Sequence, residues 1–161
     1  MTRRQKLCWG GILILVIVAS LVARHGLTQA PSEDEKAKWV TSYSKGQALA
    51  RSLERPLMIN FTAEWCVACQ DLDVQVFRHP EIDARLDSEF VTVKIDVDER
   101  SEDTQQAIQR FEVSALPRVA FATADGEFLR RASFEGKVEI GEFERRLDQA
   151  LEGSGSEPTD G

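Results

Sequence analysis

The sequence predicts an α/β domain, a mixed central sheet flanked by helices, preceded by one N-terminal transmembrane helix. An uncharged apolar run fills residues 7–23, and from residue 39 onward short β-branched segments alternate with segments of helical spacing. Asp125-Gly126, set between two apolar stretches, is a hairpin signal, which makes the sheet mixed rather than wholly parallel.

The seventeen residues of the apolar run span roughly 25 Å at about 1.5 Å per residue, enough for a thin or locally adapted bilayer. Arg3, Arg4 and Lys6 precede it, which puts the N-terminus in the cytoplasm and the rest outside. Residues 1–24 therefore read as an uncleaved signal anchor, since Arg24-His25 is a poor cleavage site. A signal peptide cut after Ala30 is the competing reading, and both export the domain. Residues 25–38 form a linker, polar from Pro31 onward.

The domain is expected over 39–152. Residues 39–41 begin an edge strand. Ser44 is the expected N-cap of a helix reaching about Leu53, and 56–61 is a buried strand. Residues 66–77 have helical spacing, with Val67, Leu72, Val76 and Phe77 on the inner side, and His79-Pro80 ends that helix before a second helical piece over 81–90. An interior strand follows at 90–97, then a helix opened by Ser101 with Ala107, Ile108 and Phe111 inward. Strands at 119–122 and 128–132 flank the hairpin turn. A final amphipathic helix covers 140–151 with Phe143, Leu147 and Leu151 at helical intervals, and the tail 153–161 is expected to be disordered.

Charge narrows the partners. The chain carries a net −7, and its first thirty residues hold four cations and no acid, which leaves the remainder at −11. A domain that acidic repels phosphate backbones, so nucleic acid is excluded as a partner.

The chemistry points to Cys66 and Cys69. A disulfide across two residues closes almost no loop and stabilises little by chain entropy, so its purpose is chemical. Cys66 stands where a strand ends and a helix begins, facing the helix dipole and unpaired N–H groups that favour thiolate. Cys69 follows one turn later. These positions give Cys66 the role of nucleophile and Cys69 that of resolving thiol. A zinc site needs four ligands, and beyond the pair the chain offers only Cys8, His25 and His79; no metal is expected, and no cofactor besides the dithiol.

The segment Thr62-Ala63-Glu64-Trp65-Cys66-Val67-Ala68-Cys69-Gln70 resembles the active-site turn of the thioredoxin superfamily, and most closely the C-terminal exported domain of DsbD-type transmembrane thiol:disulfide interchange proteins, whose motif reads WCVAC. The likeness continues through Asp73, Phe77 and Pro80, the strand end at 95–98, and Val113-Ser114-Ala115-Leu116-Pro117. It implies a thioredoxin fold and a cis peptide at Leu116-Pro117 that leaves the Leu116 backbone free for a bound peptide. Trp65 reads as a shield and apolar contact surface beside the sulfur, set against plain core packing. The resemblance also implies a reducing role outside the cytoplasmic membrane, with oxidised exported proteins as substrates and a membrane or thioredoxin-type electron donor.

Two positions depart from the family pattern. Asn60 stands where the family has a buried Asp that relays protons, and Asn does not titrate; Asp73, matching a family carboxylate, is the candidate substitute, set against a solvated helix-face acid. Arg118 stands where Thr commonly follows the proline, either as a cation for a thiolate or acidic partner or as a solvated side chain. His79 reads as structural, Glu64 as exposed and Cys8 as a bystander.

Strong oxidants of the superfamily carry a His between the cysteines. Val67-Ala68 has no such donor, which points to a reductant or electron relay. An exported oxidase or isomerase on the same fold, and a non-catalytic binding module, are the alternatives.

Overall fold

The computed structural model describes residues 39–155. The expected membrane anchor, its cleavage site, Cys8, the linker and the tail after Gly155 lie outside the described residues. Among those described, no helix is long and apolar enough to cross a membrane.

The elements run α1 (Tyr43–Leu53), β1 (Leu57–Thr62), α2 (Val67–Leu72) continued by a π-helical turn (Asp73–Phe77), α3 (Pro80–Glu89), β2 (Val91–Asp96), α4 (Glu102–Arg110), β3 (Arg118–Ala122), β4 (Phe134–Glu135) and α5 (Ile140–Gly155). The sheet order is β2-β1-β3-β4. β1 lies parallel to β2 and antiparallel to β3, and β3 antiparallel to β4, so the sheet is mixed.

Both faces of the sheet are covered. Leu57, Ile59 and Phe61 of β1 join Val91, Val93, Ile95, Ala107, Phe111 and Ala120 in one apolar cluster, under α1 and α4. Met58 faces the opposite way, into a second cluster with Leu72, Phe77, Leu86, Phe121, Phe143 and Leu147 from α2, its π turn, α3, β3 and α5. Two-sided burial explains why 57–61 reads as an unbroken apolar run except for Asn60.

Several expectations shift. The N-cap of α1 is Ser42, not Ser44, and its hydroxyl accepts from the Lys45 N–H. The side of α2 expected to face inward includes Leu72, Val76 and Phe77 but not Val67, which is 68% exposed at the helix mouth. The π turn gives the helix an extra residue per turn, with Arg78 N–H bonding Asp73 O at 3.0 Å, and this turns the adjacent Val76 and Phe77 both inward.

β2 ends the row of strands, and a bridge to Val40 covers its outer edge, so residues 39–41 contribute one bridge rather than a strand. The hairpin turn exists, with Gly126 at φ 89° and the Thr123 N–H bonding Glu127 O at 2.9 Å. Its return strand is not 128–132. That segment keeps a single bridge, Ala122 to Phe128, then turns, and pairing resumes only at Phe134–Glu135. Helix α5 continues to Gly155, so the segment 153–161 begins in helix rather than disorder.

Candidate functional site

β1 delivers the chain to its C-terminal end, and Cys66 caps the helix that follows. Cys66 and Cys69 are joined in a disulfide with their Cα atoms 5.2 Å apart. The Cys66 sulfur accepts the Cys69 N–H at 3.1 Å, the place a hydroxyl takes at an ordinary N-cap. Both residues are buried, among Ala63, Ala68, Val97 and Leu116.

Trp65 is 64% exposed beside this pair, and its indole N–H donates to Asp98 Oδ2 at 2.7 Å. Asp98 closes the strand end at 95–98 through which the family likeness runs, with no role assigned to it from the sequence. The Gln70 amide closes the turn from the other side by donating to Glu64 O at 2.9 Å.

The Leu116-Pro117 peptide is cis, and Leu116 packs against the cysteines. Among the described residues, the Leu116 N–H and C=O meet no hydrogen-bond partner, while the Pro117 carbonyl accepts from the Gly136 N–H at 2.8 Å.

Arg118 is neither solvated nor free. Its side chain is 13% exposed, and Nη2 donates to Phe111 O at 3.0 Å. Nη1 lies 3.8 Å from Glu135 Oε1, and the guanidinium sits 5.7 Å over the Phe128 ring. Glu135 carries no signal in the sequence, where the return strand is expected at 128–132 rather than at Phe134–Glu135 and gives no reason to place it beside the proline.

Asn60, Cys69 and Asp73 line one cleft of about 520 Å³, together with Thr62, Lys94 and Asp96. Asn60 is buried, and its Oδ1 has no hydrogen-bond partner. The register sets Asn60 beside Lys94 and Thr62 beside Asp96, a polar corner in an otherwise apolar sheet. Asp73 Oδ2 receives both Nε and Nη2 of Arg78, at 3.0 and 2.7 Å, so Arg78 already occupies one oxygen of the candidate proton carrier. His79 occupies the N-cap position of α3, where its side chain makes no capping hydrogen bond and its Nδ1 is buried without a partner.

A thioredoxin-like family model matches residues 38–124. The chain is 30% identical over 108 residues to the thiol:disulfide interchange protein DsbD of Vibrio vulnificus, covering 67% of this chain and 18% of that protein. It is 26% identical over 145 residues to the DsbD of Klebsiella pneumoniae, covering 84% and 24%. The chain thus spans about a fifth of the length of these curated relatives. Among solved structures, a thioredoxin from Thermus thermophilus superposes with a TM-score of 0.63 at 25% identity, covering 74% of this chain and 91% of that one. The oxidised C-terminal domain of Neisseria meningitidis DsbD gives 0.50 at 17% identity, covering 69% and 95%, a likeness of fold.

Proposed function

This chain belongs to the thioredoxin-like family, and on that premise we propose that it is a membrane-tethered disulfide reductase, or electron relay, for exported proteins. The observation that carries the reading is the Cys66–Cys69 disulfide at the mouth of α2, packed against Leu116 of the cis-proline turn.

With the pair reduced, the Cys66 thiolate attacks one sulfur of a client disulfide. The client S–S bond breaks, and the departing client sulfur leaves as thiolate and takes up a proton. Cys69 then loses its proton and attacks Cys66 Sγ, the second client sulfur leaves, and the Cys66–Cys69 disulfide closes. Two electrons have passed to the client, and a membrane or thioredoxin-type dithiol donor returns two to the pair. The dithiol suffices without a further cofactor. The Cys69 N–H and the start of α2 favour the Cys66 thiolate, Trp65 and Leu116 offer apolar contact and a free peptide unit, and Asp73 on the cleft carries protons for Cys69 in place of the untitratable Asn60.

The apolar run 7–23 behind three cations supports tethering in the cytoplasmic membrane with the domain in the periplasm or cell exterior. The donor-free Val67-Ala68 supports the reducing direction. Equilibration with a dithiol buffer tests that direction: a potential toward about −270 mV is expected, and one near about −120 mV overturns it. Cys69→Ser should strand clients on Cys66 as mixed disulfides. A doubly Ser-substituted protein that retains full function would instead establish the binding-module reading.

A further inference from the structure

The segment between α4 and β3 is held from outside itself. The Glu135 carboxylate accepts the Ser114 N–H at 3.1 Å, the Ser114 hydroxyl at 2.9 Å and the Ala115 N–H at 3.2 Å. Arg118, directly opposite Glu135 in the β3–β4 register, faces the same carboxylate and reaches back to the Phe111 carbonyl. The Gly136 N–H holds the Pro117 carbonyl. Glu135 of this two-residue strand and the glycine after it thus hold the chain at Ser114, Ala115 and Pro117, on both sides of Leu116, the residue they pass over.

We propose that Glu135 is a positioning residue for client docking: its carboxylate turns the Ser114 and Ala115 amides away from the groove and leaves the Leu116 peptide unit to set the register of an incoming strand. This deepens the exchange reading above and rests on it. Two adjacent N–H donors facing the groove would otherwise compete with Leu116 for the client backbone, and a slip of one residue in an extended pairing presents the opposite side chains. A carboxylate suits the task because it accepts several donors at once and binds them more strongly than a neutral oxygen. Arg118 keeps that carboxylate in place, and this accounts for a nearly buried cation at the start of β3.

The test compares two disulfides in the full chain in detergent: insulin in turnover with dithiothreitol, above the protein-free rate, and the small disulfide in single turnover of pre-reduced protein freed of dithiothreitol. Insulin needs backbone docking; 5,5′-dithiobis(2-nitrobenzoate) needs only the thiolate. Glu135→Ala should raise KM for insulin about tenfold, leave kcat within about twofold, and leave the small-disulfide rate unchanged. Glu135→Gln, close in shape but uncharged, should fall between, and amide hydrogen exchange at Ser114 and Ala115 should quicken in the same order.

Unchanged KM together with unchanged amide protection overturns the proposal. So does an equal loss on both disulfides, which would make Glu135 a support for the fold or the thiol. If the unsubstituted protein reduces neither disulfide, the exchange reading fails instead, and unaltered exchange of the two amides would remove the clamp as well.

Discussion

Asn60 is the residue at which this chain departs most from what its neighbourhood prepares. It is buried, faces the same way as Met58 and Thr62 along β1, and shares a cleft with Cys69, yet its Oδ1 has no partner. An amide there tolerates burial better than a carboxylate and brings no ionisation of its own. Asn60→Asp should therefore add one ionisation to the pH–rate profile of disulfide exchange that the unsubstituted chain lacks. Burial raises the new group's pKa above the unfolded value of about 3.9, so the variant should be as stable as the parent in acid. It should lose roughly 1–3 kcal/mol as pH rises through that unfolded value toward neutrality. Urea midpoints of variant and parent at pH 4 and 7 measure the difference, and a variant–parent gap equal at both would show that the cleft solvates the carboxylate fully.

At the scale of elements, the close approach of α1 to β2 depends on a glycine. A Cβ on Gly46 would stand 2.3 Å from Val93 Cγ2, inside a cluster that also holds Ile59 and Ile95. Ala favours the helix by about 1 kcal/mol, but overpacking a closed core costs about 1–3 kcal/mol. Gly46→Ala should lower stability by about 1 kcal/mol in urea denaturation, and adding Val93→Ala should remove the clash, so that the two changes are not additive. The same N-terminal end of α1 is tied to α4 by Asp103, which accepts the Tyr43 N–H at 2.7 Å, the Ser44 N–H at 2.9 Å and the Ser42 hydroxyl at 2.9 Å. Two N-termini thereby share one acid, favourable to both helix dipoles.

For the molecule as a whole, acid is the expected weakness. Burial pushes the Asp103 carboxyl up, and the hydrogen bonds from Ser44, Ser42 and Tyr43 outweigh it and hold the group below its ordinary value. The Ser114 N–H, with the Ser114 hydroxyl, Ala115 N–H and Arg118 charge, holds Glu135 below its ordinary value as well. Groups depressed on folding stabilise above their unfolded pKa and lose that contribution as pH falls through the folded one. The urea midpoint should thus be flat from pH 7 to about 5 and fall below about 4.5, with a shallower fall in Asp103→Asn. An identical slope in that variant would remove Asp103 from the account.

The sequence alone determined the order of elements from α1 onward, the cysteine pair and the burial of β1, because each rests on local pattern: an apolar strand interrupted by Asn60, a strand-to-helix turn, helical spacing in α5. The thioredoxin-like character was legible in the Trp65-Cys66 turn and the Leu116-Pro117 pair. Only the tertiary structure decided what long-range contact decides. Val67 lies outward because no element among the described residues covers the mouth of α2, while Val76 and Phe77 both lie inward because a π turn adds a residue. The return strand forms at 134–135 because Ser133, through its hydroxyl to the Phe121 N–H and the Leu129 carbonyl, fixes where pairing restarts. Glu135 reaches Ser114 across twenty-one positions of chain, and no periodicity in a single sequence encodes a contact of that length.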